Sequence, residues 1–231
     1  MIKEELQFIS SLESASPMFT ADTLTFQEFM AREKLPLATI QNAVLEFLRG
    51  RNDAAVFGAQ AVNAYVKEPR MTQDIDLLSP RAEELAHELR DHVNQKFHIA
   101  VRVRKIGEGK GFRLYQGYTR RVQKSGNRYL VDIRPVAALP PTKRISKVLV
   151  VTPAELIASK VIAYHQRRGK PKSGTDWRDL AMLLLAFPEL KRDSGAVLER
   201  LQAAGVDQAA LEVWTELVAQ EITSSNEEDE F

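Results

Sequence analysis

The chain has 231 residues, of which 44% are hydrophobic and 27% charged, a balance that excludes intrinsic disorder and predicts a sizeable core in one large domain or a core with an appended lobe. It contains no cysteine, which excludes a disulfide framework and a thiolate nucleophile. The four histidines, His87, His92, His98 and His165, form no His-x-x-x-His pair, so zinc is not expected and any metal must be held by carboxylates. The longest apolar run, Leu180 to Phe187, falls well short of the ~20 residues that span a bilayer, and the opening Met1-Ile2-Lys3-Glu4-Glu5 has no basic-then-apolar targeting pattern, so the chain reads as cytoplasmic with no membrane partner.

The net charge of +1 hides a segregation. From Arg102 to Lys147 there are 13 basic residues against only Glu108 and Asp132, a local excess that reads either as lysine- and arginine-guarded strand edges or as a surface for a phosphate-rich partner.

Along the chain, Leu37, Ile40, Val44, Phe47 and Leu48 share one helical stripe and Gly50 follows as a stop signal, so a helix is predicted over about 36–49. Ala54-Ala55-Val56-Phe57 reads as a buried strand running into Gly58, after which Ala61, Val62 and Tyr65 resume helical spacing. Lys67 to Arg70 is a turn, and Thr72 to Leu77 alternates polar and apolar residues as a strand does. A surface helix follows over 81–96, then strands at Ile99–Ile106, Gly111–Tyr118 and Arg128–Val136 with hairpin glycines between them. Gly107-Glu108-Gly109-Lys110-Gly111 lacks the Gly-Lys-Ser/Thr ending of a P-loop and is read as a hairpin turn. Beyond Pro140-Pro141 the pattern is helical, at 153–167, 175–187, 194–204 and 207–222. Thr152, Pro153 and Glu155 suggest a capping box at the first of these. Trp177 and Trp214 read as core or interface residues, and 224–231 as an acidic solvated tail.

Chemistry concentrates at Asp74 and Asp76. On a strand, alternate side chains share a face, so these carboxylates converge while Ile75 and Leu77 enter the core. Two close carboxylates repel, and a divalent cation or a raised pKa must relieve them, the cation being the simpler remedy. The same alternation in Tyr129–Arg134 sets Asp132 opposite Tyr129, Val131 and Ile133, as a third carboxylate on a neighbouring strand. Upstream, Phe57-Gly58-Ala59-Gln60-Ala61 is a glycine turn opening a helix whose free N–H groups can receive phosphate. Lys160 lies on or beside an apolar stripe, as a residue snorkelling at its edge or as a paired inward charge. Asp176, in line with Leu180, Leu183, Leu184 and Phe187, reads either as a first-turn carboxylate favoured by the helix dipole or as an inward charge, and Asp179 one turn on competes for that role.

In this order the pieces resemble the nucleotidyltransferase superfamily of DNA polymerase beta type, and more narrowly its AbiEii toxin-like branch. The carriers are Gly58, the run Arg70-x-Thr72-x-Asp74-Ile75-Asp76, Asp132, the run from Thr152 to Lys160, and Asp176 with Asp179. The resemblance spans about residues 50–187, with Ala59 standing where the family has a second glycine. It implies an α+β fold, a nucleotidyltransferase-like mixed β-sheet core over 51–150 with flanking helices, preceded by an N-terminal helical segment (1–50) and followed by a C-terminal helical lobe (151–223) and the tail. It also implies a sheet of about five strands. Asp74, Asp76 and Asp132 would hold Mg2+ or Mn2+. Gly58, Ala59, Thr72 and Lys160 would meet the nucleoside triphosphate, with Asp176 orienting the acceptor or Lys160; Arg70 reads more simply as an exposed loop arginine.

The implied reaction is nucleotidyl transfer to a hydroxyl, with the 3′ end of tRNA or another RNA as a candidate acceptor beside protein or small-molecule hydroxyls, and an antitoxin as a candidate partner. A non-catalytic RNA- or protein-binding module and a phosphotransferase using the same cleft are the competing readings.

Overall fold

The computed structural model describes residues 35–116 and 127–223. Arg120, Arg121 and Lys124 of the basic segment, the first 34 residues and the acidic tail lie outside the described residues.

Helix α1 (Leu37–Leu48) buries Ile40, Ala43, Val44 and Leu48, the stripe its spacing dictates. Strand β1 (Ala55–Phe57) runs into α2 (Gly58–Asn63). Strand β2 (Ile75–Ser79) buries Ile75, Leu77 and Ser79 and leaves Asp76 and Leu78 half-buried. It begins three residues after the predicted Thr72, so Asp74 sits in the bend before the strand. Helix α3 (Ala82–Phe97) buries Leu85, Leu89, Val93 and Phe97. Strands β3 (Val101–Lys105) and β4 (Phe112–Gln116) form a hairpin, with 107–111 as its turn, and β4 pairs antiparallel with β5 (Arg128–Pro135). Gly111, at φ +110°, is required by packing, because a Cβ there would stand 2.1 Å from the carbonyl oxygen of Ile133.

Two further strands occupy the stretch between Pro141 and Thr152, β6 (Thr142–Ile145) and β7 (Val148–Val151). The sequence reading passes over them because their two-residue turn is Ser146-Lys147, both at positive φ (49° and 70°), where Asn-Gly would ordinarily announce a hairpin. Among the described residues the sheet therefore has seven strands, not about five, in the order β3-β4-β5-β2-β1-β7-β6. It is mixed: β2 runs parallel to β5 and β1 parallel to β7, while the other neighbours are antiparallel. Helix α3 packs on β2 to β5, and α1 packs on α3, β5 and β7. Leu114, Val131, Ile133, Ile75 and Leu77, each buried, form the apolar face.

The remaining helices are α4 (Pro153–Gln166), α5 (Lys172–Ala186), α6 (Ala196–Ala203) and α7 (Gln208–Ala219), with a 3-10 turn at Pro188–Leu190. Thr152 does stand at the N-cap of α4, but its side chain makes no capping bond, and Glu155 pairs instead with Arg200 of α6 at 2.8 Å, so the capping box is replaced by an interhelical tie. Trp214 is core, 1% exposed, with its indole N–H donating to the carbonyl of Arg192, whereas Trp177 is half-buried against Tyr164. Helix α4 is the hub of this helical group, touching α5, α6 and α7, and both α4 and α5 meet α2, which ties the helices to the Asp76 side of the sheet. Among the described residues no helix is long and apolar enough to cross a membrane.

Candidate active site

Asp76 sits in the middle of the sheet. Its register partner on β1 is Phe57 and on β5 is Asp132, so the two carboxylates are neighbours on adjacent parallel strands and share a face. Gly58, at φ +68°, opens α2 directly beside them. A Cβ at that position would lie 2.2 Å from Asp76 Oδ2, so the glycine supplies both the left-handed turn and the space that the carboxylate occupies. Ala59 is buried. The bend holding Asp74 is shaped by Thr72, whose hydroxyl donates to the Asp74 carbonyl at 3.1 Å and whose own carbonyl accepts from the Gln41 amide at 3.0 Å. Thr72 is thus engaged with backbone.

Burial, reinforced by the charges of Asp74 and Asp132, pushes Asp76 up to about 6, against the opposing pull of Arg134 and Lys160. These five groups therefore share one electrostatic site. Asp132 is not free within it. Arg113, its cross-strand partner on β4, grips it with both arms of the guanidinium, Nε to Oδ1 at 2.6 Å and Nη2 to Oδ2 at 2.5 Å. That bond is the chief cause of a raised Arg113 pKa.

A register shift between Leu114 and Tyr115 brings Tyr129 opposite Tyr115. Simple alternation would send Tyr129 to the face away from Asp132. The bulge, which leaves both Leu130 and Val131 buried, instead sets the Tyr129 ring 4.3 Å from the Arg113 guanidinium carbon, so Tyr129 belongs to the Asp132 side.

The second wall comes from α4 and α5. Lys160, 9% exposed, points inward, donating to Asp179 Oδ2 at 2.6 Å and lying 3.6 Å from Asp176 Oδ1. Asp179, with no exposed surface, also receives a two-armed bond from Arg70, Nε to Oδ1 at 2.7 Å and Nη2 to Oδ2 at 2.9 Å. Burial pushes the Asp179 carboxyl up, but the bonds from Arg70 and Lys160 together outweigh it and hold it below its ordinary value. Arg70 is therefore not an exposed loop arginine. Its backbone is clamped by both polar atoms of the Asn63 side chain, and its guanidinium ties the β2 approach to α5. Helix α5 begins at Lys172, so Asp176 lies beyond the first turn. It is buried and held by Arg167 at 2.8 Å.

Arg113 and Arg167 escape the sequence reading, which names Arg70 but not its pairing with Asp179. Arg167 carried a usable signal, standing seven residues after Lys160 and so on the same side of the helix. Arg113 carried none, because strand register is not local.

Among the described residues no group of three or more His, Asp or Glu side chains is arranged to hold a metal ion. Asp74 and Asp76 still suit a divalent cation, since burial first and the charge of Asp74 second raise Asp76, and a cation beside the pair would offset both.

A carboxylate-bearing β2 beside a glycine-opened helix, on a mixed sheet with a helical wall carrying an inward lysine, defines a protein of the nucleotidyltransferase class. The chain belongs to the nucleotidyl transferase AbiEii toxin family of type IV toxin–antitoxin systems, whose pattern matches residues 43–230. Its fold is similar to that of the Megavirus polyadenylate synthase, with a TM-score of 0.54 and 14% identity over 84% of this chain and 38% of the viral one; the chain thus spans well under half of that protein. It is also similar to JHP933 from Helicobacter pylori (TM-score 0.49, 14% identity, 84% of this chain and 90% of that one). A third likeness is to ANT(2")-Ia in complex with adenylyl-2"-tobramycin (TM-score 0.48, 15% identity, 79% and 100%). No protein of curated function matches the chain.

Proposed function

We propose that this nucleotidyltransferase moves a nucleotide from a nucleoside triphosphate to the 3′ hydroxyl of an RNA, with tRNA the first candidate, and that it does so in the cytoplasm as a toxin restrained by a cognate antitoxin. In this reaction the acceptor oxygen bonds to the α-phosphorus, the bond from that phosphorus to the bridging oxygen breaks, and pyrophosphate leaves as the hydroxyl proton is released. The observation that carries the reading is Asp76, a carboxylate kept half-buried among Asp74 and Asp132 with Lys160 opposite. A fold tolerates such an unbalanced group where chemistry uses it.

Asp74 and Asp76 would hold Mg2+ or Mn2+, with Asp132 joining once Arg113 lets go. Bound there, divalent ions supply activation of the hydroxyl and neutralisation of the phosphate charge. Lys160 acts as a point charge toward the triphosphate, and its bonds to Asp179 and Asp176 fix the position of its ammonium group. Gly58 leaves the backbone low enough for Asp76 to lie across the opening of α2. The basic stretch from Arg102 to Lys147 supports a polyanionic acceptor.

Incubation with α-labelled triphosphates and total RNA tests this: label should enter an RNA band with release of pyrophosphate, and release of a nucleoside diphosphate would favour phosphotransfer instead. The engagement of Asp132 by Arg113 and of Lys160 by Asp179 favours a second reading, a non-catalytic binding module. RNA binding without any label transfer would support it.

A further inference from the structure

The strand registers align one row of side chains across five strands: Phe57 on β1, Asp76 on β2, Asp132 on β5, Arg113 on β4 and Arg104 on β3. Residues in register on neighbouring strands share a face, so the row passes from two carboxylates to two arginines across three interstrand steps of about 4.8 Å each. Arg102 stands opposite Tyr115, Tyr115 opposite Tyr129, and Arg134 follows Asp132 by two residues on the same face. The opposite face of these strands is the apolar one carrying Leu114, Val131 and Ile133.

Among the described residues this half of the sheet exposes its charged and aromatic side chains. Arg102, Arg104 and Arg134 are exposed, and Tyr129 is 40% exposed, a large area for an aromatic ring. The rings and guanidinium groups alternate in contact: Arg113 lies over Tyr129 at 4.3 Å, and Arg104 over Tyr115 at 5.8 Å. Arg104 faces Arg113 directly, a like-charge cross-strand pair that costs stability in a bare sheet. Beside the row, Lys110, Arg113, Asp132 and Arg134 line an open depression of about 410 Å³ with the Gly109 turn at its rim.

We propose that this face is the track on which the single-stranded 3′ end of an RNA acceptor lies, its terminal hydroxyl at Asp76 and Asp132 and its chain running outward over β5, β4 and β3. Tyr129 and Tyr115 stack its bases, Arg104 and Arg102 take its phosphates, and Arg134 and Lys110 take the phosphate nearest the hydroxyl. Interleaved rings and cations on an open sheet suit unpaired nucleotides, whose bases are free to stack, and suit a duplex poorly. Arg113 has a double part, holding Asp132 in the empty site and turning to a phosphate when the acceptor arrives. The proposal rests on RNA being the acceptor.

The test is fluorescence anisotropy of the full chain with a labelled single-stranded RNA 12-mer, titrated at several salt concentrations, with a blunt RNA duplex in parallel. Arg104→Ala should weaken single-strand binding and lower the salt slope by about one. Tyr129→Ser should weaken binding about tenfold with the slope unchanged, while Tyr129→Phe keeps wild-type affinity. Lys143→Ala, in the same basic stretch but on β6 at the far edge of the sheet, should change neither. Equal loss for Arg104→Ala and Lys143→Ala, or duplex bound as well as single strand, overturns the track. If wild type labels RNA while Arg104→Ala and Tyr129→Ser bind it normally, the track is wrong and the transfer reaction stands; if wild type binds the single strand along this face but labels no RNA, the track stands and the transfer reaction is wrong.

Discussion

Gly58 and Asp76 occupy the same volume: a β-carbon on the glycine would stand 2.2 Å from the Asp76 carboxylate oxygen and 2.9 Å from its Cγ. Because Gly58 also sits at φ +68°, Gly58→Ala meets two penalties, backbone strain and displacement of the carboxylate. It should lower stability by about 1–3 kcal/mol and nucleotide transfer by about 100-fold or more. Thermal melting together with the label-transfer assay separates the two effects. Retained transfer in a stably folded Gly58→Ala protein would show that Asp76 is not held by this contact.

Asp76 is raised by burial and by its carboxylate neighbours, so its folded value lies near 6 while the unfolded chain keeps an ordinary aspartate near 3.9. The unfolded state then ionises first, and the folded state is penalised over the window from about 4 to 6, fully so above it. In metal-free buffer Asp76→Asn should therefore be more stable than wild type at pH 8 by about 2–3 kcal/mol, an upper figure, with the difference gone by pH 3.5. Denaturant melts at the two pH values check this. Equal stability at pH 8 would mean that Asp76 is not electrostatically stressed.

Asp179 works in the opposite sense. Its carboxyl is held low by Arg70 and Lys160, so it stabilises the fold above its ordinary value and the contribution disappears as pH falls through the depressed folded value. A lysine snorkelling at the edge of an apolar stripe is cheap to truncate, but Lys160 is a partner of a carboxylate with no exposed surface. Asp179→Ala should cost about 3–5 kcal/mol, since it removes the carboxylate that Lys160 and Arg70 share and leaves the buried ammonium only the 3.6 Å pairing with Asp176, while Lys160→Ala should cost less because Arg70 still holds Asp179 with two bonds. Urea midpoints of the two variants give the order, and a costlier Lys160→Ala would reverse this ranking of partners.

Arg113 restrains Asp132 by a two-armed bond. Arg113→Ala should release that carboxylate to the Asp74–Asp76 pair and tighten Mn2+ binding by the chain without nucleotide, about tenfold, read by calorimetry or by the signal of free Mn2+. Unchanged affinity would remove Asp132 from the ligand set.

Much of this arrangement was legible in the sequence. Helical periodicity located α1 and α4 to within a residue, and the Asp-Ile-Asp run with the lysine on the next wall outlined the site. What was not legible depends on geometry that no local pattern encodes. The Ser146-Lys147 turn adopts positive φ without a glycine or asparagine to signal it, so β6 and β7 stayed hidden. The bulge opposite Tyr115 moved Tyr129 to the other face of its strand, against strict alternation. Arg113 meets Asp132 only because β4 pairs with β5 in one register, and Arg70 meets Asp179 across 109 residues of chain. The long-range partners of charged groups were the missing part.

Asp76 is the residue on which the proposed nucleotide transfer depends. The measurement is incorporation of label from α-labelled triphosphates into total RNA, with pyrophosphate followed in the same reaction, for wild type and for Asp76→Ala whose folding has been verified by melting. Wild type should place label in RNA with stoichiometric pyrophosphate, and the variant should give neither above background. Equal incorporation by the two proteins would contradict it.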